Sequence, residues 1–288
     1  MSDAAERAAF EYAERHNLHA FLVLRGGTLS YARYGAGYTS SKPHALYSGT
    51  KTFWGVLAAA AQDDGLLTLD EPVADTIPEW RHDPRKALVT LRQLLNLTAG
   101  FGFGGLGTAV PGYAKALSLE LKTEPGETFA YGGIALQAFG AVLSRKLEPR
   151  GQTPHEYLRE RVLGPIGLNI DSWRTLKDGT HPLPTGAFVA AREWLKFGLL
   201  LARGGVHDGA SVVSPDGFAE VVQPSAANPR YGLAVWIHAA PDGSQVFYAS
   251  GAGGQGLYAL PERDVVIVRF GEGTSYKHDA FLARLLGT

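Results

Sequence analysis

The sequence contains no cysteine. Disulfides, thiolate nucleophiles and cysteine-ligated metals are therefore excluded. It also lacks a charge surplus: 27 basic residues stand against 28 acidic ones, a net charge of −1. Nothing in that balance calls for nucleic acid or an acidic membrane surface as a partner. No run approaches the roughly 18 apolar residues of a spanning helix. The opening segment, MSDAAERAAFEYAERHN, has no apolar stretch of the secretory kind, so a cytoplasmic location is the default expectation. There is no Gly-Lys-Ser/Thr phosphate loop, and the nine histidines form no His-x-x-x-His pair. No metal site and no cofactor is expected. What remains is a 288-residue chain, 45% hydrophobic and 19% charged. That is the composition of a globular protein large enough to bury a sizeable core.

The pattern along the chain changes twice. Residues 4–17 read as an amphipathic helix, and AFLVLRGGTLSYARYG reads as a hairpin about Gly26–Gly27. From Ser48 to about Pro224 the periodicity is mostly helical, with VTLRQLLNLTAGF (89–101) expected to run to Gly100. After Pro224, YGLAVWIHA, SQVFYAS, QGLYALP and DVVIVRFG read as short strands, and YKHDAFLARLLG as a closing helix. Two separate small sheets would be marginal. The expected fold is α/β (α+β): one antiparallel sheet built from both chain ends, flanked by terminal helices, with a mostly helical region inserted. One unit spans 1–288, its sheet region about 1–70 and 185–288, its helical region about 71–184.

The stretch ALYSGTKTFWGVLAAAAQDDG (45–65) carries the chemistry. Residues three apart on a helix share a face, so Lys51 can bring its amine to the Ser48 hydroxyl. A capping serine beside a solvated lysine is one reading. A nucleophile beside its base is the other, because a serine hydroxyl needs a base to attack. Lysine serves only if burial or a nearby cation depresses its pKa. The apolar flank TFWGVLAAAA would provide the burial. This is the one Ser-x-x-Lys in the chain.

The surroundings of that motif resemble the serine β-lactamase and penicillin-binding-protein superfamily. YSGTKTFWGVLAAAAQDDGLLTLDEPVADTIPEW is similar to its active-site helix and the DGLLxLDxPV segment that follows. VTLRQLLNLTAGF is similar to its LLTHTSG helix. FAYGGIALQAFGAVL (129–143) resembles its second motif, and ASGAGGQGLYALPERDVVIV (249–268) its third. The likeness runs from about residue 20 to 286 and is greatest to the class C-like branch, with family VIII carboxylesterases and nylon-oligomer hydrolases. It implies an acyl-enzyme on Ser48, with Lys51 and Tyr131 moving protons. A phenol near an ammonium is expected to have a lowered pKa, and Lys51 and Tyr131 would titrate as a pair.

The second motif departs from the family at Gly133, where an asparagine is usual, and the third lacks a basic side chain around Ser250, Gly251 and Ala252. The glycines would let the strand approach a substrate. By the same resemblance, the oxyanion hole is the backbone N–H of Ser48 with that of Ala252. Gly133, Ser250, Gly251 and Gly253 would contact substrate. GFGFGGLG (100–107) contains Gly-x-Gly-x-x-Gly, but it follows a leucine-rich helix rather than a strand, so it reads as a loop bordering the pocket. His238 reads as a packed or edge histidine. The resulting expectation is a serine hydrolase of a small ester or amide, needing no cofactor, nucleic acid or membrane. The alternatives are a β-lactamase or D,D-peptidase, and a catalytically inactive binding or sensor domain.

Overall fold

The computed structural model describes residues 4–288, so residues 1–3 of the N-terminal segment read above lie outside the described residues. The chain opens with α1 (Ala4–Glu14), β1 (Leu18–Arg25), β2 (Thr28–Tyr34) and β3 (Pro43–Ala45). A single 3-10 turn, Tyr47–Lys51, runs without a break into α2 (Thr52–Asp63). Then come α3 (Val73–Thr76), α4 (Leu91–Leu95), α5 (Tyr113–Ser118), α6 (Ile134–Leu147) and α7 (Pro154–Leu158). The second half holds β4 (Ser172–Trp173), β5 (Ala187–Ala190), α8 (Ala191–Ala202), β6 (Val206–His207), β7 (Ala210–Ser211) and α9 (Pro215–Val222). Strands β8 (Trp236–Ala239), β9 (Gln245–Gly251), β10 (Gln255–Leu260) and β11 (Val265–Gly271) precede the last helix, α10 (His278–Leu286).

The two chain ends share one antiparallel six-stranded sheet in the order β2-β1-β11-β10-β9-β8. The expected pairing of the N-terminal hairpin with the C-terminal strands is met in the β1–β11 register, from Leu18 opposite Gly271 to Arg25 opposite Val265. Side chains alternate along β1 because strands have a period of two. Phe21 and Val23 face α1 and α10, in a cluster with Phe10, Tyr258, Ile267, Phe281 and Leu285. Ala20 and Leu22 face the other way, into the large core with Leu257, Val266, Trp194 and Phe197. Both faces of β10 and β11 are therefore covered, which is why these strands read as continuous apolar runs rather than alternating ones. Helix α2 is buried from Thr52 to Ala61, and its alanines let neighbours pack on every side.

Some elements differ from the sequence expectation. Helix α1 stops at Glu14, and Asn17, at a φ of +48°, turns the chain into β1. Helix α4 ends at Leu95 instead of running to Gly100. Leu97 takes a φ of +61°, and residues 97–100 leave the helix to pair with the segment before α6. The Leu97 carbonyl accepts from Ala130 N–H at 3.0 Å, and that of Gly100 from Lys122 N–H at 2.6 Å. The early end thus places Tyr131, the next residue along. Asn96-Leu97-Thr98, a formal glycosylation sequon, consequently sits past the helix, not within it. YGLAVWIHA forms strand only at its end, in β8. The small sheet β3-β5-β4 and helix α9 were missed in the sequence, although α9 is amphipathic and opens on the cap Ser214 with Pro215 after it. Among the described residues, no helix is long and apolar enough to cross a membrane.

Candidate active site

Ser48 is the second residue of the 3-10 turn, not the first residue of an α-helix as its motif suggested. Tyr47, just before it, is held at a φ of +47°. That is a strained conformation for a bulky residue, costing on the order of 1–3 kcal/mol and concentrated in proteins at functional sites. Lys51 follows one turn later. Its Nζ donates to Ser48 Oγ at 3.0 Å and to the Pro184 carbonyl at 3.3 Å. The side chain is only 1% exposed. Burial away from water lowers its pKa from 10.5 to about 7.

The carbonyl that meets Lys51 is itself held in place. Trp54 Nε1 donates to Leu183 O at 2.7 Å, and Gln137, fully buried on α6, accepts from Leu183 N–H at 2.8 Å. Lys51 and Trp54 thus read the same short segment from adjacent turns of one helix. The Tyr131 ring lies 4.6 Å from Lys51 Nζ. Tyr131 has its pKa raised, first by burial, while the Ser48 hydroxyl and the Trp236 indole pull the other way. The sequence expectation of a lowered phenol pKa is therefore corrected. Burial outweighs the two hydrogen bonds that favour the phenolate.

Ser48 and Tyr131 open on a cavity of about 450 Å³ that is also lined by Ser250, Gly251, Ala252 and Gly253. Ala252 begins a tight turn between β9 and β10 in which Gly253 takes a φ of +79°. The buried Gln255 fixes that turn: its Nε2 donates to Ala252 O at 2.8 Å and Gly271 O at 2.7 Å, and its Oε1 accepts from Gly271 N–H at 3.0 Å. Arg269 holds the other side, donating to Gly253 O at 2.9 Å and Gly254 O at 2.8 Å. Gly251 is needed for a different reason. A methyl group there would lie 2.2 Å from the Leu46 carbonyl oxygen, so the end of β9 can touch the Ser48 turn only without a side chain.

Gly133 is not among the residues lining this cavity. It caps α6, and its N–H donates to Gly104 O at 2.9 Å. A Cβ at this position would lie 2.0 Å from Gly105 O. The glycine-rich segment 100–107 occupies the space that a family asparagine would need, and it brings Leu106 to the cavity wall. The loop reading of that segment therefore holds. Trp236, Thr274, Tyr276 and His278 also line the cavity and were missed in the sequence. Trp236 stood in a strand-like run, and the other three lie far from any motif. His278 Nδ1 bonds the Tyr258 hydroxyl at 2.7 Å, and burial lowers its pKa to about 4, so it is neutral at pH 7. His238 lies outside the cavity, half-buried on the edge strand β8, as expected of a packed or edge histidine.

With this geometry in hand, known proteins are informative. A family model described as Beta-lactamase matches residues 11–286. The 6-aminohexanoate-dimer hydrolase of Paenarthrobacter ureafaciens is 24% identical over 281 residues, covering 87% of this chain and 71% of that one. A structure assigned as a 6-aminohexanoate-dimer hydrolase from Bacillus anthracis superposes with a TM-score of 0.82 at 21% identity, over 96% of this chain and 79% of that one. A D-stereospecific amidohydrolase from a Streptomyces species gives 0.76 at 17% identity over the full length of both. The fold, the matched span and the order of the motifs agree: the chain belongs to the beta-lactamase family of serine hydrolases.

Proposed function

We propose that the protein hydrolyses a small carboxylic ester through an acyl-enzyme on Ser48. The observation that carries this reading is the buried Lys51 amine, 3.0 Å from Ser48 Oγ and with a pKa of about 7. At neutral pH a large fraction of it is free base, which is what a general base requires. The Ser48 proton passes to Lys51 Nζ as Oγ bonds the substrate carbonyl carbon. The resulting oxyanion is received by the N–H groups of Ser48 and Ala252. As the tetrahedral species collapses, the C–O bond to the leaving group breaks. Tyr131, kept as a neutral phenol by burial, donates its proton to the departing oxygen and is reprotonated from Lys51. Water then attacks the acyl-enzyme by the same steps in reverse and releases the acid.

An ester is favoured over a β-lactam by the walls of the cavity. Among the described residues that line it, no side chain carries a charge at neutral pH, since His278 is neutral. A β-lactam carboxylate would lack the charge-assisted partner that contributes about 1.5–3 kcal/mol elsewhere. The Gly105 backbone also excludes an amide side chain at Gly133. A linear amide is the second reading, favoured by the activities named for the relatives in Paenarthrobacter and Streptomyces.

The test has two parts. A fluorophosphonate should label one peptide, that containing Ser48, and Ser48→Ala should abolish both labelling and turnover; an adduct on another serine would sink the assignment. The values of kcat/KM for a p-nitrophenyl butyrate-type ester, a chromogenic cephalosporin and a linear anilide should then rank the ester first. A cephalosporin turned over as fast as the ester transfers the reading to a β-lactamase.

A further inference from the structure

A second cavity, of about 590 Å³, lies in the helical region and shares no lining residue with the one at Ser48. It is within the size range of small-molecule sites. Leu158, Leu163, Leu168, Ile170 and Trp173 give it an apolar side. Glu156 and Arg159 line it too and offset one another's charge.

Two imidazoles complete the lining, His155 and His181, with ring centroids 4.7 Å apart. His181 Nδ1 lies 3.0 Å from the Arg174 carbonyl. A carbonyl only accepts, so Nδ1 carries the proton, and in the neutral ring Nε2 is a bare acceptor. His155 Nε2 is buried without a partner, and among the described residues its Nδ1 has none either. Burial lowers the His155 pKa to about 3, so the ring is neutral at pH 7. A hydroxyl both donates and accepts. It can donate to His181 Nε2 and take whichever role His155 Nδ1 leaves open, while an aromatic body fills the apolar side.

The cavity also touches the machinery that holds Lys51. Three consecutive carbonyls each accept from one side chain: Pro182 O from Trp173 Nε1 at 3.1 Å, Leu183 O from Trp54 Nε1 at 2.7 Å, and Pro184 O from Lys51 Nζ at 3.3 Å. The His155 ring packs edge-on to both indoles, with centroids 5.0 Å from Trp54 and 4.5 Å from Trp173. His181 opens the same segment.

We infer that this cavity is an effector site for a neutral aromatic hydroxy compound, bound at His155 and His181, whose occupancy is felt at Lys51 through residues 181–184. The link to Lys51 rests on the proposed function; the binding site does not. A ligand that orders this segment keeps Pro184 O on Lys51 Nζ. A carbonyl that accepts from the amine favours its protonated form. Tyr131 is the titratable group that faces Lys51, and its phenol stays neutral. The occupied protein should therefore need a higher pH to free the base.

The test uses the full chain, with 2-naphthol and 2-methoxynaphthalene as probes, titrated calorimetrically at pH 7.5. The naphthol should bind with a Kd at least tenfold below that of the ether, which cannot donate. His155→Phe combined with His181→Phe keeps both rings and removes their nitrogens. It should weaken naphthol binding fivefold or more and leave the ether as it was. If the double variant does not fold, the ratio of the two probes on the intact protein decides. Equal affinities, or a folded double variant that binds naphthol as before, overturn the site. For the link, kcat on a p-nitrophenyl butyrate-type ester is followed from pH 6 to 9. Saturating naphthol should move its acid limb up by 0.3 pH unit or more. Competition at the Ser48 cavity would raise KM alone. Binding with an unmoved acid limb overturns the effector role. Absence of turnover and of fluorophosphonate labelling at Ser48 removes the hydrolase reading and the effector role with it, while the binding ratio still judges the site.

Discussion

Two cations are buried near the candidate active site, and the same burial leaves them in different states. Lys51 and Arg269 are 1% and 0% exposed. Lys51 meets one hydroxyl and one carbonyl oxygen. Arg269 meets the carbonyls of Gly253, Gly254 and His16, and the face of Tyr276 at 4.2 Å. Desolvation lowers the pKa of both. For the lysine the fall reaches about 7, within range of physiological proton transfer. The guanidinium starts so high that it stays charged, and its fixed fork of donors matches a cluster of carbonyls. Sparse solvation makes one buried cation a base, while dense backbone solvation makes the other a clamp on the turn that carries Ala252.

The comparison breaks most visibly if the base is given a permanent charge. Lys51→Arg should lower kcat on an activated ester by about 10³-fold or more, because the proton has nowhere to go. Steady-state kinetics decides it, and a loss under tenfold would show that Lys51 is not the base. The reverse exchange should cost less turnover and more stability. Arg269→Lys keeps a charge but loses the fork, leaving buried carbonyls without donors. We expect about 3 kcal/mol of destabilisation by urea unfolding, with kcat down about 10- to 100-fold and Ser48 still labelled by a fluorophosphonate. Unchanged kcat would mean that the turn does not depend on the clamp.

The smallest effect is a slope. Unfolded Lys51 holds its proton up to about pH 10.5, whereas the folded protein releases it near 7. Between those values the unfolded state binds the extra proton, so raising the pH favours folding, by up to about 1.4 kcal/mol per pH unit from this group. Lys51→Met should flatten unfolding free energy against pH across that window. Arg269 variants, whose charge is present in both states, should leave the slope as it was. Equal slopes in wild type and Lys51→Met would place the lysine pKa outside the window.

Much of this was legible in the sequence, for identifiable reasons. The hairpin about Gly26–Gly27 and the apolar runs of β9, β10 and β11 carry their pairing in composition alone. Ser48 and Lys51 are three residues apart, so local geometry sufficed to join them. Tyr131 and the turn at Ala252 were found through a family likeness, not through spacing, because their approach to Ser48 is tertiary. The early end of α4 was hidden because it depends on Ala130, more than thirty residues on. The direction of the Tyr131 pKa was misjudged for a related reason: burial sums over Tyr231, Trp236 and other partners from the far end of the chain. Gly133 looked like a missing binding residue, and only the packing of Gly105 against it explains why no side chain fits there.

The sheet that unites the two chain ends has a consequence in time. Strand β1 pairs with β11, and the Ser48 turn packs against β9 through Gly251. A ribosome adding roughly 5–20 residues per second needs about 10–40 s to travel from Ser48 to Ala252. Throughout that interval the nascent chain carries Ser48 and Lys51 without the Ala252 turn that walls the same cavity. Lys51 is also without the later walls that strip it of water, so it remains an ordinary protonated lysine. The proposed chemistry at Ser48 is therefore expected to be silent during synthesis and to begin only when the last strands close the sheet.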